Sequence, residues 1–239
     1  MEAPTLDTAP GLDFLYGNVP IPFFNVAVLH APVAGQADLG ERLKRAQAFA
    51  ASRPYPWFLI AADDATPGEL AAHRDAALAA AGLVPAMKLT GMICDELTQA
   101  PDAPGLDLRP ATSPADYTAI GEINAVAYEM GSGAGVGTMD RPGLFEGGHA
   151  ILGRQAGNPV SCALTTPLDG RLYAAFVATL PTHRRQGLAE ACLRESLNQA
   201  RAATGLTRSV LHATDAGRPI YARMGYRPVA TYTLFGQAH

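Results

Sequence analysis

The chain has 239 residues, a formal net charge of −4 and 48% hydrophobic residues, with 17% charged. That balance supplies a packed core for one large or two small domains and excludes an intrinsically disordered chain. A basic stripe of the kind nucleic-acid binders carry is missing, as is any uncharged apolar run of about 18 residues, so those two classes are set aside.

Met1-Glu2-Ala3-Pro4 has no basic region followed by an apolar core, which argues against a secretory signal. Cys94, Cys162 and Cys192 are odd in number and far apart, so they suggest neither a disulfide framework nor a zinc site. Buried thiols in a reducing cytoplasm are the expectation.

The first predicted element is a strand at 23–29, rich in aromatic and β-branched residues. Residues 38–51 then read as a helix, with Leu39, Leu43, Ala46 and Ala50 at helical spacing. The apolar run 57–61 predicts a buried strand. Thr66, Pro67 and Glu69 suggest an N-cap, a first-turn proline and a near capping box for a helix that Gly82 ends. Residues 83–94 follow as a strand, interrupted by Pro85 and Gly91.

Residues 99–105 carry two prolines, a glycine and no apolar period, and are the expected linker. They divide the chain into domains at 1–100 and 105–239. After them a short strand is predicted at 106–109. A helix capped by Ser113, with Pro114 in its first turn, should run to about Tyr128.

A glycine-rich run, 131–137, invites a dinucleotide reading and fails it. Val136 stands where the third glycine is needed, and the run follows a helix instead of a strand. It reads equally as a plain connection and as a loop lining an acceptor pocket.

Strands are predicted at 150–152, 160–165 and 172–180. The turns at 157–159 and 169–170 suit antiparallel hairpins. An amphipathic helix at 187–204, a strand at 208–213, a short helix at 217–224 ended by Gly225, and a strand at 229–235 complete the chain.

The junction between the strand at 172–180 and the helix from 187 is the strongest chemical signal. Pro181 stops the strand, Arg184, Arg185 and Gln186 fill the turn, and Gly187 and Ala189 let a diphosphate approach the backbone. The amides of a first helical turn have no intrahelical partner and lie at the positive end of the helix dipole, which makes an anion site. Two arginines add charge suited to phosphate.

These residues resemble the main motif of the GNAT acetyltransferase superfamily, Gln/Arg-x-x-Gly-x-Gly/Ala, here Arg184-Arg185-Gln186-Gly187-Leu188-Ala189. The resemblance extends upstream through Val177-Ala178-Thr179-Leu180-Pro181. Downstream it reaches Tyr221-Ala222-Arg223-Met224-Gly225-Tyr226, similar to the family's Tyr-x-x-x-Gly-Phe with Gly-Tyr in place of Gly-Phe. It covers about residues 105–239, and the N-terminal part looks like the degenerate first half of two-domain members. The resemblance implies an α/β fold with a central mixed, mostly antiparallel sheet flanked by helices, preceded by a smaller degenerate GNAT-like α/β domain.

It further implies an N-acetyltransferase that uses acetyl-CoA as cosubstrate, without a metal, by direct attack of a primary amine on the thioester. The opening between the fourth and fifth strands would take the pantetheine arm, held by Val177, Ala178 and Thr179. Arg184, Arg185, Gln186, Gly187, Leu188, Ala189 and Glu190 would hold the pyrophosphate. Tyr221 is the candidate acid for the departing thiolate, because a phenol near pKa ~10 is protonated at neutral pH.

The general base is open. The strand at 172–180 has no Asp or Glu. Glu122, Glu129, Glu146 and His149 belong to segments expected to border the acceptor, and each also suits a solvated surface. His183 in the turn and His212 in the fifth strand are further candidates. The expected partner is a small-molecule or peptide amine, with no nucleic acid and no membrane, and a homodimer is compatible. An acyl-CoA-binding regulatory module without efficient catalysis is the competing reading.

Overall fold

The computed structural model describes residues 5–30, 32–100, 105–130 and 142–237. The glycine-rich run 131–137 lies outside the described residues, as do positions 101–104 of the linker.

The chain begins with a hairpin, β1 (Thr5–Ala9) and β2 (Leu12–Tyr16), that the sequence reading missed. Its signals are the turn at Pro10-Gly11, with Gly11 at φ +73°, and the alternation that buries Leu12, Phe14 and Tyr16. Strand β3 (Asn25–Leu29) starts two residues later than expected because Pro22–Phe24 form a 3-10 turn. Asn25, fully buried, stabilises that turn by donating from Nδ2 to the carbonyls of Val19, Ile21 and Pro56.

Helix α1 (Gln36–Ala51) buries Leu39, Leu43 and Ala46. Arg42 on the same face pairs with Asp38 at 2.6 Å and donates to the carbonyls of Gly11, His30 and Pro32. Strand β4 (Phe58–Ala62) follows.

Helix α2 (Glu69–Ala80) corrects the capping expectation: its N-cap is Gly68 at φ +62°, with no side-chain cap. The Thr66 hydroxyl is taken instead by Arg74, whose Nη1 donates to it at 2.9 Å. Strand β5 (Leu83–Cys94) is continuous through Pro85 and Gly91.

Beyond the linker come β6 (Asp107–Pro110) and α3 (Pro114–Ala127). Helix α3 carries a full capping box: Asp116 N–H donates to Ser113 Oγ, and the Asp116 carboxylate accepts from Ser113 N–H. Such a cap stabilises a helix by about 1 kcal/mol. Then follow β7 (His149–Gln155), β8 (Asn158–Leu168), β9 (Arg171–Thr179), α4 (Leu188–Thr204), β10 (Ser209–Ala213), α5 (Arg218–Arg223) and β11 (Arg227–Gln237).

The chain forms two compact units, Met1–Thr90 with Val229–His239, and Gly91–Pro228. In the first, the strand order is β1-β2-β3-β4-β11, with β3 and β4 parallel through the α1 crossover and β11 antiparallel to β4. Its core gathers Leu12, Leu29, Leu39, Leu59, Leu78 and Phe235. These units differ from a simple cut at the linker. The residues of β11 pair with β4, Leu234 opposite Ile60, and bury Phe235 among N-terminal side chains.

In the second unit β6, β7, β8 and β9 run antiparallel in sequence order and β10 joins β9 in parallel. The sheet has different helices on its two faces. Leu172, Ala174, Leu211 and Ala213 pack with Leu193 and Leu197 of α4. Cys162, Leu164 and Ala178 pack with Ile120 and Ile123 of α3.

Candidate functional site

The turn before α4 is built from two residues in left-handed backbone. Arg185 has φ +67° and Gly187, the N-cap of α4, has φ +77°. The first helical bond runs from Ala191 N–H to the Gly187 carbonyl. Among the described residues, no acceptor faces the backbone N–H groups of residues 185–190. Left-handed turns entering a helix leave such amides convergent, and the dipole adds positive potential.

The side chains of the turn divide by role. The Arg185 guanidinium is exposed and has no ion pair or hydrogen bond among the described residues. Arg184 is engaged: Nη2 donates to the Ala127 carbonyl at 3.0 Å and Nε to the Thr179 carbonyl at 3.4 Å. Gln186 accepts from Gln155 at 3.3 Å. Leu188 is buried and Ala189 half-buried.

Glu190 turns inward at 4% exposure, its Oε1 accepting from Arg194 Nε and Nη2 at 3.0 and 2.8 Å. Arg194 also donates to the Thr98 carbonyl, and Thr98 Oγ1 donates to the Arg223 carbonyl at the end of α5. The start of α4 is therefore tied to the helix that carries Tyr221.

Strand β9 parts from β10 beside this turn. Their register covers Leu172, Tyr173 and Ala174 opposite Ser209, Val210 and Leu211, although β9 continues to Thr179 and β10 to Ala213. The edge of β9 holding Val177, Ala178 and Thr179 thus lines a wedge.

A β-bulge shapes the same stretch and was not read from the sequence. Phe176 and Val177 both stand between the pairs Ala175–Leu164 and Ala178–Cys162, and Phe176 has φ +51°. A bulge breaks the ladder and leaves a backbone residue unpaired. Tyr128, the C-cap of α3, donates from its hydroxyl to the Val177 carbonyl at 3.2 Å.

Tyr221 on α5 is 8% exposed and lies 6.0 Å, ring to ring, from Tyr226. Among the described residues its hydroxyl has no hydrogen-bond partner. Burial, and then the neighbouring phenols of Tyr128, Tyr226 and Tyr173, push its pKa well above the usual tyrosine value, so it is protonated throughout the neutral range.

The candidate bases separate. Glu122, Glu129 and Glu146 are exposed with no side-chain partner among the described residues. His149 is half-buried in β7, and its carbonyl accepts from Ser196. His183 pairs with its neighbour Thr182 at 2.9 Å. His212 differs: its Nδ1 lies 3.2 Å from the Tyr173 hydroxyl, across the start of the wedge. The sequence reading passed over Tyr173 and Tyr128. Period-two alternation along β9 was the available signal for Tyr173; nothing local pointed Tyr128 at Val177.

Residues 146–228 match the family described as Acetyltransferase (GNAT) domain. The chain is 35% identical over 133 residues to the N-acetyltransferase Eis of Mycobacterium tuberculosis, covering 54% of this chain and 31% of the relative. It therefore spans about a third of the length of the curated relatives it matches. Among solved structures it is similar to a GCN5-related N-acetyltransferase from Kribbella flavida, with a TM-score of 0.72 and 25% identity over 99% of this chain and 90% of that one. It also shares the fold of a tandem GNAT protein from the clavulanic acid biosynthesis pathway, with a TM-score of 0.60 and 14% identity over 98% and 83% of the two chains.

Proposed function

We propose that this chain transfers an acetyl group from acetyl-CoA to a primary amine of a small molecule or peptide, a reading supported by the match of residues 146–228 to the acetyltransferase (GNAT) domain family. The observation that carries this reading is the row of amides at 185–190, without an acceptor among the described residues, beside a strand edge opened by the parting of β9 and β10. The amides and the exposed Arg185 side chain suit a pyrophosphate. The edge at Val177 and Thr179 suits an extended amide-bearing arm that hydrogen-bonds like an added strand.

The contributions of the named residues differ within this reading. Arg184 braces the turn through Ala127 and Thr179 and offers the diphosphate its backbone more than its charge. Glu190 contributes its N–H, since its carboxylate is committed to Arg194.

The amine attacks the thioester carbonyl, the tetrahedral intermediate forms, and the C–S bond breaks. The Phe176–Val177 bulge breaks the β8–β9 ladder beside the wedge, and its backbone dipoles are the nearest fixed groups to a thioester held along that edge. Tyr221 gives its proton to the departing thiolate.

Acetyl-CoA titrated into the purified protein is the first test. A ligand that binds the native state raises stability by about 2.7 kcal/mol at a hundred times its Kd, which shifts the melting temperature by several degrees. Thiol release on adding amines then reports transfer. A melting temperature that no CoA thioester moves sinks the proposal. The absence of a carboxylate on β9 favours a second reading, a CoA-binding regulatory module. That reading expects stabilisation by acetyl-CoA with no amine-dependent thiol release.

A further inference from the structure

The acetyl-transfer reading leaves the acceptor's proton unassigned, and the face of the sheet opposite α4 carries a pair suited to take it. Leu172, Ala174, Leu211 and Ala213 point to α4 and share their core with Tyr221. Alternation sends Tyr173 and His212 to the other face, where α3 packs. Tyr173 sits opposite Val210, one pair before the strands part, and His212 follows the last paired residue of β10, Leu211. Their hydroxyl and Nδ1 atoms are 3.2 Å apart. Tyr173 is also near enough to Tyr221 for the two phenols to influence each other's ionisation.

We propose, resting on the acetyl-transfer reading, that the Tyr173 hydroxyl takes the proton from the acceptor amine and passes it to His212. The acid and the base then come from different elements, Tyr221 from α5 and Tyr173 from β9.

The protons balance as follows. An N–H bond of the acceptor breaks as the Tyr173 oxygen gains that proton. The Tyr173 hydroxyl proton moves to His212 Nδ1, giving imidazolium. His212, exposed to solvent, returns a proton to water from Nε2. Separately, the thiolate gains its proton from Tyr221. Tyr173 touches the substrate, and His212 acts through it. With Tyr173 donating to Nδ1, the resting imidazole is the neutral Nε2–H tautomer.

The surroundings favour a neutral imidazole. Tyr173 from β9 faces His212 directly. Burial lowers its pKa below the usual value. The sign is therefore fixed: His212 accepts protons above that lowered pKa and loses the ability as pH falls through it.

The test uses the full chain. Acetyl-CoA binding is followed by thermal shift, and thiol release is measured with butylamine, phenethylamine, spermidine and a tripeptide amine. The fastest acceptor is then followed from about pH 5 to 9 for the wild type, Tyr173→Phe and His212→Gln. Both variants are expected to keep the acetyl-CoA stabilisation and to lose roughly 10²-fold or more in kcat/KM for the amine near neutral pH. They should also lose the acid limb that the wild type shows below about pH 6.5.

Wild-type turnover with unchanged rates and profiles in both variants overturns the pair and leaves acetyl transfer standing. A loss confined to Tyr173→Phe overturns the part given to His212, and loss of acetyl-CoA stabilisation in the variants marks a structural role and overturns the pair. A wild type that binds acetyl-CoA and releases no thiol to any amine overturns the acetyl-transfer reading and the relay with it.

Discussion

The hydroxyl of Tyr128, at the end of α3, is bonded to the carbonyl of Val177, on the strand edge assigned to the pantetheine arm. The contact is 3.2 Å long and the tyrosine is 44% exposed, so a modest bond occupies an acceptor that an incoming amide would use. In the acetyl-transfer reading, an arm laid along that edge competes with Tyr128 for the Val177 carbonyl.

Tyr128→Phe keeps the ring and frees the Val177 carbonyl. A hydrogen bond of this kind contributes about 0.5–1.5 kcal/mol, and exposure to water places this one at the low end. Isothermal titration should give an acetyl-CoA Kd two- to five-fold lower, roughly 0.5–1 kcal/mol, than the wild type. An unchanged or weaker Kd would show that the two do not compete.

Tyr221→Phe removes only the candidate acid. Amine-dependent kcat should fall by roughly 10²–10⁴-fold while acetyl-CoA affinity stays within a few-fold. Burial raises the phenol's pKa, and an acid works while protonated, so the wild-type rate should show no alkaline fall from this group up to about pH 10. An alkaline limb near pH 8–9 that disappears in Tyr221→Phe would contradict the burial argument.

Gly187→Ala tests the turn before α4. An added Cβ meets no atom within 4 Å, so the cost comes from φ +77° alone. A left-handed L-residue costs roughly 1–2 kcal/mol. Either that cost appears as a lower melting temperature, or the turn relaxes and acetyl-CoA affinity falls about ten-fold. A variant with wild-type stability and affinity would show that the left-handed cap is not required.

Glu190→Leu leaves Arg194 buried without its counter-charge, since the pair has side-chain exposures of only 4% and 9%. Breaking a buried pair on one side costs about 3–5 kcal/mol, whereas replacing both members by apolar residues is often near neutral. Chemical denaturation should therefore find Glu190→Leu much less stable than Glu190→Leu combined with Arg194→Leu. Equal stabilities would assign the pair no net electrostatic role.

The sequence by itself determined what short-range physics specifies. Period-3.6 and period-2 patterns located α1, α3, α4 and the three hairpin strands β7, β8 and β9 within a few residues. Ser113 announced its cap, and residues 184–187 announced the turn that enters α4, because a helix start exposes its amides whatever else the fold does. Thr66 misled for a local reason: its hydroxyl had a better partner eight residues away in Arg74.

Only the tertiary structure decided the rest, because those relationships join residues that are distant in the chain. Leu234 meets Ile60, carrying β11 away from the strands that precede it and into the N-terminal unit. Tyr128 reaches Val177 and Tyr173 meets His212 across 49 and 39 positions. The bulge at Phe176–Val177 depends on register against β8, which periodicity within β9 does not specify. Thus local amide geometry makes the turn before α4 readable from sequence, while the pair proposed to accept the acceptor's proton exists only because β10 lies parallel to β9.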